Sequence, residues 1–127
     1  MKILSYIATA SLLFVAPVAA ANSARFDIIL ANFSFTPSAV ALKAGQKVTL
    51  HFDNQGSGGH DFTAKEFFAS ATMDAAMRTK LGKKGTVSLE KGQVADVTLT
   101  PKAGTYKVKC SHFLHAGFGM TGTVTVS

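Results

Sequence analysis

Lys47-Val48-Thr49-Leu50-His51-Phe52-Asp53 alternates apolar and polar residues without a break. Val48, Leu50 and Phe52 fall on one face of an extended chain and Thr49, His51 and Asp53 on the other. This period of two fits a half-buried strand and not a helix. His51 is therefore expected at the solvent. Upstream, Lys43-Ala44-Gly45-Gln46 reads as a turn with Gly available for positive φ, and Val40 to Leu42 is a short apolar run after the Pro37-Ser38 break. Phe26 to Ala31 is a further β-rich run, continued by Asn32 to Phe35 with Phe33 and Phe35 on one face.

Downstream of Asp53, Asn54 to Gly59 is a polar, Gly-rich loop from which His60-Asp61-Phe62 opens another extended segment. Thr86 to Leu89 and Val94 to Leu99 flank the Glu90-Lys91-Gly92 turn. Thr105 to Cys110 alternates so that Tyr106, Val108 and Cys110 face inward, and Thr121 to Val126 alternates again. One stretch breaks the pattern. Met73, Ala76, Met77 and Leu81 recur at helical spacing, Asp74 falls early, Arg78 and Lys80 fall late, and Gly82 suits a C-terminal stop. A helix is predicted from about Thr72 to Leu81. About seven short strands with one inserted helix predict an all-β, Greek-key β-sandwich.

The chain has 127 residues, 13 Lys plus Arg against 7 Asp plus Glu, and one Cys. That length holds one domain at most. A single thiol excludes an internal disulfide framework and clusters built on several thiolates. Lys2, the apolar run Ile3 to Val15 and the small residues Val18-Ala19-Ala20 read as a secretory signal peptide over residues 1–20. Cleavage is expected after Ala20, with Ala21 and Ala24 as alternatives. An uncleaved anchor is the competing reading, although the stretch only approaches spanning length and Pro17 interrupts its end. Residues 21–127 then form one exported, periplasmic domain without stable membrane insertion. Its lone thiol sits in an oxidising compartment, where it must be buried, modified or metal-bound.

The run Cys110-Ser-His-Phe-Leu-His115-Ala-Gly-Phe-Gly-Met120, with His60 upstream, supplies one thiolate, two imidazoles and one thioether. A His₂Cys set with a weaker axial Met is the ligand list of a type 1 copper site for electron transfer. Zinc has no need of the Met. Cys110 ends one strand and Met120 begins the next, so the loop between them can turn Cys110, His115 and Met120 toward one ion, with His60 arriving from a separate loop.

Gly104-Thr105-Tyr106-Lys107-Val108-Lys109-Cys110, then His115, then Gly119-Met120-Thr121-Gly122-Thr123-Val124, resembles the C-terminal signature of the cupredoxins, the small blue copper proteins. Phe35-Thr36-Pro37, the Ala44 to Val48 turn and the Asn54 to Phe62 segment resemble that family's N-terminal half. The resemblance runs from about Phe26 to Val126 and implies one copper ion held by His60, Cys110, His115 and Met120. The Cys-x₄-His spacing departs from plastocyanin-like members and is closer to the rusticyanin and plantacyanin types.

Each residue also has a plainer reading. A buried Cys is usually a small core hydrophobe, and His60, His115 or Met120 taken alone is more often surface or packing. His112 is a rival for His115, although Cys-x-His is expected to turn the imidazole from the thiolate. Met73 and Met77 read as core. Phe113, Leu114, Ala116 and Phe118 surround His115 with apolar groups and make a candidate partner-docking patch. Alternatively, Phe113 or Phe118 folds inward over the metal. Arg78, Lys80, Lys83 and Lys84 cluster near the helix end, which suits an acidic redox partner or simply a solvated face. Nucleic acid is not expected, since the chain is exported and lacks a binding motif.

The sequence thus points to a monomeric electron carrier and not an enzyme, because a substrate-binding copper would need further histidines than His51 and His112 supply. A copper carrier or resistance protein would use the same ligands. No Met- or His-rich tract favours it.

Overall fold

The computed structural model describes residues 11–16, 23–112 and 115–127. Most of the expected signal peptide, and the docking residues Phe113 and Leu114, lie outside the described residues. Among the described residues nine strands form two sheets. The first contains β1 (Ala24–Ala31), β2 (Ser34–Thr36), β4 (Val48–Asn54) and β7 (Val94–Leu99), in the order β2-β1-β4-β7. The second contains β3 (Ala39–Leu42), β5 (His60–Thr63), β6 (Thr86–Leu89), β8 (Gly104–Lys109) and β9 (Thr121–Val126), in the order β3-β9-β8-β5-β6. The chain crosses between sheets after β2, β3, β4, β6 and β7. This is the β-sandwich expected, with more strands than the seven expected, among them β2, which the sequence reading runs together with β1.

Alternation builds the core. In β4, Val48, Leu50 and Phe52 are buried while Thr49, His51 and Asp53 are not. Ile28, Leu30, Val97 and Leu99 extend that inner face across the first sheet, and Phe62, Val87, Leu89, Val108, Val124 and Val126 oppose them from the second. Each such side chain, fully buried, contributes about 1.5–3 kcal/mol. His51 lies on the outer face, as the alternation predicts, but is less open to water than expected. Its side chain is only 19% exposed and Nδ1 lies 2.6 Å from Asp96 Oδ1 on β7, because cross-strand neighbours on the outer face screen it from water.

One helix is expected, and the described residues form two: α2 (Ala75–Leu81), within the expected span, and α1 (Lys65–Ser70), which lies before it and is not expected. In α2 the sequence signals hold. Asp74 is the N-cap and accepts from the Met77 amide at 2.7 Å, and Gly82 ends the helix at φ 66°. The helix starts later than Thr72 because Thr72 instead bridges to Thr100. In α1 the adjacent Phe67 and Phe68 both enter the core. Arg78 is not a free member of the basic cluster, since its guanidinium donates to Phe68 O at 3.3 Å and Ala71 O at 2.6 Å, tying the two helices together.

Phe33 also departs from expectation. It does not continue a strand beside Phe35. Ala31 pairs with Ser34, so Asn32 and Phe33 form the two-residue turn of the β1–β2 hairpin, with Phe33 at φ 61°. Phe35 is buried, whereas Phe33 is 43% exposed. The turn lies at the same end of the sandwich as the ends of β4 and β8 and the starts of β5 and β9.

Candidate metal centre

Two loops meet at that end. The β4–β5 loop is organised by Asn54, which is fully buried and has all its polar capacity directed at backbone. Its Nδ2 donates to Gly58 O and Leu89 O, each at 2.9 Å, and its Oδ1 accepts from the Gly56 amide at 2.9 Å. Asn32 of the hairpin accepts from the Ser57 amide at 2.9 Å and lies 3.3 Å from His60 Nε2. With Nε2 protonated toward that oxygen, the lone pair of His60 sits on Nδ1, and a histidine that donates its other ring N–H in this way is held in the ligating tautomer.

The β8–β9 loop is closed by its own backbone. The Cys110 amide donates to Met120 O at 3.1 Å, and the Met120 amide donates to His115 O at 3.0 Å. A single turn of 3₁₀-helix, Ala116–Phe118, follows His115, and Gly119 at φ 92° reverses the chain into Met120. A left-handed residue here favours glycine. The result places Cys110 and Met120 in the buried core and His115 at its edge.

His60 Nδ1 lies 3.2 Å from His115 Nδ1, which lies 3.4 Å from Cys110 Sγ. The ligand atoms of His60, Cys110 and His115 all lie within 4.8 Å of one another. Bonds of about 2.0–2.3 Å to one ion would place such atoms roughly 3.5–4 Å apart. The three residues therefore fit a single metal ion with little movement. Burial lowers the His60 pKa, helped by the neighbouring His115 and His112. Burial likewise raises that of the Cys110 thiol, against backbone amides that favour the thiolate. Both groups are thus disposed to be neutral without a cation, and a bound cation favours the thiolate. Thiolate plus two imidazoles, with a thioether at the loop's end, is a donor set that fits one copper ion of type 1.

His112 is not turned away from the thiolate. Asp61, Cys110 and His112 form a second group whose ligand atoms lie within 4.8 Å of one another, and the His112 ring stacks on His115 with centroids 5.2 Å apart. The turn at Ser111 brings the imidazole back over the site. Asp61, however, is already used. Its Oδ1 accepts from the Ser111 amide at 2.8 Å and the Thr63 hydroxyl at 2.7 Å, and its Oδ2 accepts from the Ser111 hydroxyl. The His60 group leaves two imidazole nitrogens and the sulfur for the metal.

Sequence reading missed four supports of this site: Asp61, Asn32, Asn54 and Phe33. Asp61 also donates its amide to Cys110 Sγ at 3.5 Å. Asn32 and Asn54 carried only the weak signal of Asn beside turns. Phe33 lies edge-on to His115 and against Phe118, with centroids 5.2 Å apart in each case. Phe118 is 65% exposed and so does not fold inward over the metal. Ala116 is half-buried beside it.

The fold recurs in known proteins. An auracyanin from the photosynthetic bacterium Roseiflexus castenholzii, solved after dithionite reduction, superposes with a TM-score of 0.60 at 18% identity, covering 85% of this chain and 99% of its own. Auracyanin A from Chloroflexus aurantiacus, described as a "blue" copper protein, gives 0.54 at 20%, covering 81% and 99%. A multicopper oxidase gives 0.59 at 18%, covering 81% of this chain but 41% of the oxidase. At these identities the likeness establishes a shared sandwich. No curated protein sequence matches the chain. The cupredoxin-like domain, as a sequence family, matches residues 4–126, nearly the whole chain. With the two-sheet order and the His-Cys-His convergence in place, that match means the protein belongs to the cupredoxin-like family.

Proposed function

We propose that the protein is an exported carrier of single electrons, in which His60, Cys110, His115 and Met120 hold one copper ion. The observation that carries this reading is the convergence of His60 Nδ1, His115 Nδ1 and Cys110 Sγ within 4.8 Å of one another. The bound ion would supply one-electron cycling between Cu(I) and Cu(II). The chain's own residues do the rest. Cys110 would hold the ion through its thiolate and Met120 through a weaker thioether contact, and the backbone clasp between Cys110 and Met120 would resist rearrangement when the charge changes. His115 is the exit for the electron, because Phe33 and Phe118 carry it to an exposed apolar surface. Ala116, with Phe113 and Leu114, would complete that docking patch. Small apolar patches suit brief encounters and fast release.

A carrier is favoured over an enzyme because His51 is held against Asp96 on the outer face of the first sheet. It is not available for a second copper. The auracyanin A likeness supports the same class. We further propose that residues 1–20 direct export, that residues 21–127 are the single working domain, and that it acts as a monomer on a redox protein partner and not on nucleic acid. No helix among the described residues is long and apolar enough to cross a membrane.

The test is to load the protein with Cu(II), record visible and EPR spectra, and repeat with Cys110→Ser. An intense thiolate-to-copper band that disappears in the variant, with reversible reduction, supports the carrier. A colourless tetragonal spectrum would assign the protein to copper storage or transport.

A further inference from the structure

The outer face of the second sheet carries a cationic groove that the copper site does not use. Across β6, β5, β8 and β9 the paired residues Thr86, Thr63, Lys109 and Thr121 lie in one row. Lys107 follows on the same face, because Val108 between the two lysines points into the core. Lys65 at the start of α1, and Lys83 and Lys84 after α2, wall one side. The hollow so formed has a volume of about 990 Å³. A neighbouring hollow of about 760 Å³ shares Lys83, Lys84 and Ser111 and extends the surface to Lys80.

Five lysines line the main groove, with Glu66 as its one acid. Among the described residues none of these lysines makes an ion pair. Such a concentration of unpaired like charge raises the local potential and attracts an anionic surface. No arginine lines the groove. Arg25 pairs with Asp27 and Arg78 ties α1 to α2. Bidentate recognition of one planar anion, carboxylate or phosphate alike, favours arginine, whereas lysines spread over several elements act as separate point charges that suit anionic groups spaced along a chain. That distribution matches carboxylates spaced along a polypeptide. The groove ends at Ser111 and Ala116, each one residue from a proposed copper ligand.

We propose that this groove docks an acidic segment of the redox partner, bringing it in beside the Cys110–His115 loop. The identity of the occupant as a redox partner rests on the carrier reading above, but its acidic chemistry rests on the groove alone. Charge complementarity of this kind governs encounter rate and salt dependence more than final affinity.

The test uses a deca-glutamate peptide as probe and ¹⁵N-labelled protein, with and without Cu(I). Amide shifts are expected at residues 83–86 and 107–111, weakening steeply with salt. Lys83→Glu with Lys84→Glu, and separately Lys107→Glu with Lys109→Glu, should each weaken binding about tenfold. Lys43→Glu with Lys47→Glu makes the same change in net charge in the β3–β4 turn, at the other end of the sandwich, and should weaken it no more than about twofold. Equal weakening by all three pairs, or shifts elsewhere, would overturn the proposal. So would a ten-unit polyphosphate that perturbs the same amides at lower concentration, which would reassign the groove to phosphate polyanions. A protein with the thiolate–copper band but no peptide binding loses only the groove. Peptide binding without the band removes only the carrier reading.

Discussion

Asp61 holds Ser111 twice: the Ser111 amide donates to Oδ1 at 2.8 Å and its hydroxyl donates to Oδ2. Asp61 follows His60 and Ser111 follows Cys110, so one carboxylate joins the two loops that carry the copper donors. Asp61→Ala leaves the Ser111 amide without its acceptor and should cost about 1–3 kcal/mol in urea unfolding. Copper affinity should fall by about 10- to 100-fold, the usual effect of losing a residue that orients ligands. Asp61→Asn keeps an acceptor for the amide and gains a donor for the hydroxyl, so its loss should be smaller on both measures. Wild-type stability and affinity in the alanine variant would show that the link carries nothing.

Gly56 is packed against the ligand itself. A Cβ there would lie 2.7 Å from Cδ2 and Nε2 of His60 and 2.9 Å from Asn32 Oδ1. The ring and the amide oxygen are hydrogen-bonded to each other and the oxygen also accepts from the Ser57 amide, so neither group turns aside freely. Gly56→Ala should therefore push the His60 ring from its bond to Asn32 and weaken copper binding more than it weakens the fold. Gly58→Ala, two residues on, meets nothing within 4 Å and serves as the control. Competitive copper titration of the two variants checks the ordering, and equal affinities would refute it.

Most of the strands, and the loop that carries Cys110, His115 and Met120, were legible in sequence because both follow short-range rules. Half-buried strands must alternate, and the Cys-to-Met loop is fixed by spacing along one chain. The supports were less legible because they depend on contacts between distant segments. Asn32 reaches His60 across 28 residues, and Asp61 reaches Ser111 across 50. The six residues of α1 are too few to show a helical period, and its Phe67-Phe68 pair reads equally as strand. The Asn32-Phe33 turn was hidden for a different reason. Phenylalanine is a poor choice for positive φ, so nothing in its local sequence announced a hairpin.

Phe33 offers a way to separate strain from contact. A non-glycine residue at left-handed φ costs about 1–2 kcal/mol, and a ring packed on His115 and Phe118 returns about 0.5–1.5 kcal/mol. Phe33→Gly removes both and should leave stability nearly unchanged. Phe33→Ala loses the ring but keeps the strain, so it should unfold at lower denaturant than the glycine variant by about 1 kcal/mol. Both should slow electron self-exchange without shifting the absorption band, since the ring lies outside the ligand set. An alanine variant as stable as the glycine one would remove the strain account.

Copper should stabilise the domain without being required for it to fold. Among the described residues no buried side-chain nitrogen or oxygen lacks a hydrogen-bond partner, and the His60 and Cys110 neighbourhoods are braced by Asn32 and Asp61. The metal-free chain therefore has no unmet polar demand that forces the site apart. An ion that binds only the folded state adds about 4 kcal/mol when free copper is a thousandfold above Kd. For a domain of this size that corresponds to roughly 15–30 °C in Tm. Cys110→Ser should lose most of the gain while keeping the metal-free Tm, because the hydroxyl replaces a thiol that is a weak hydrogen-bond partner. Circular dichroism should show the same sandwich with and without copper. A metal-free protein that is unfolded at 25 °C, or a Tm that copper does not move, would contradict a preformed site.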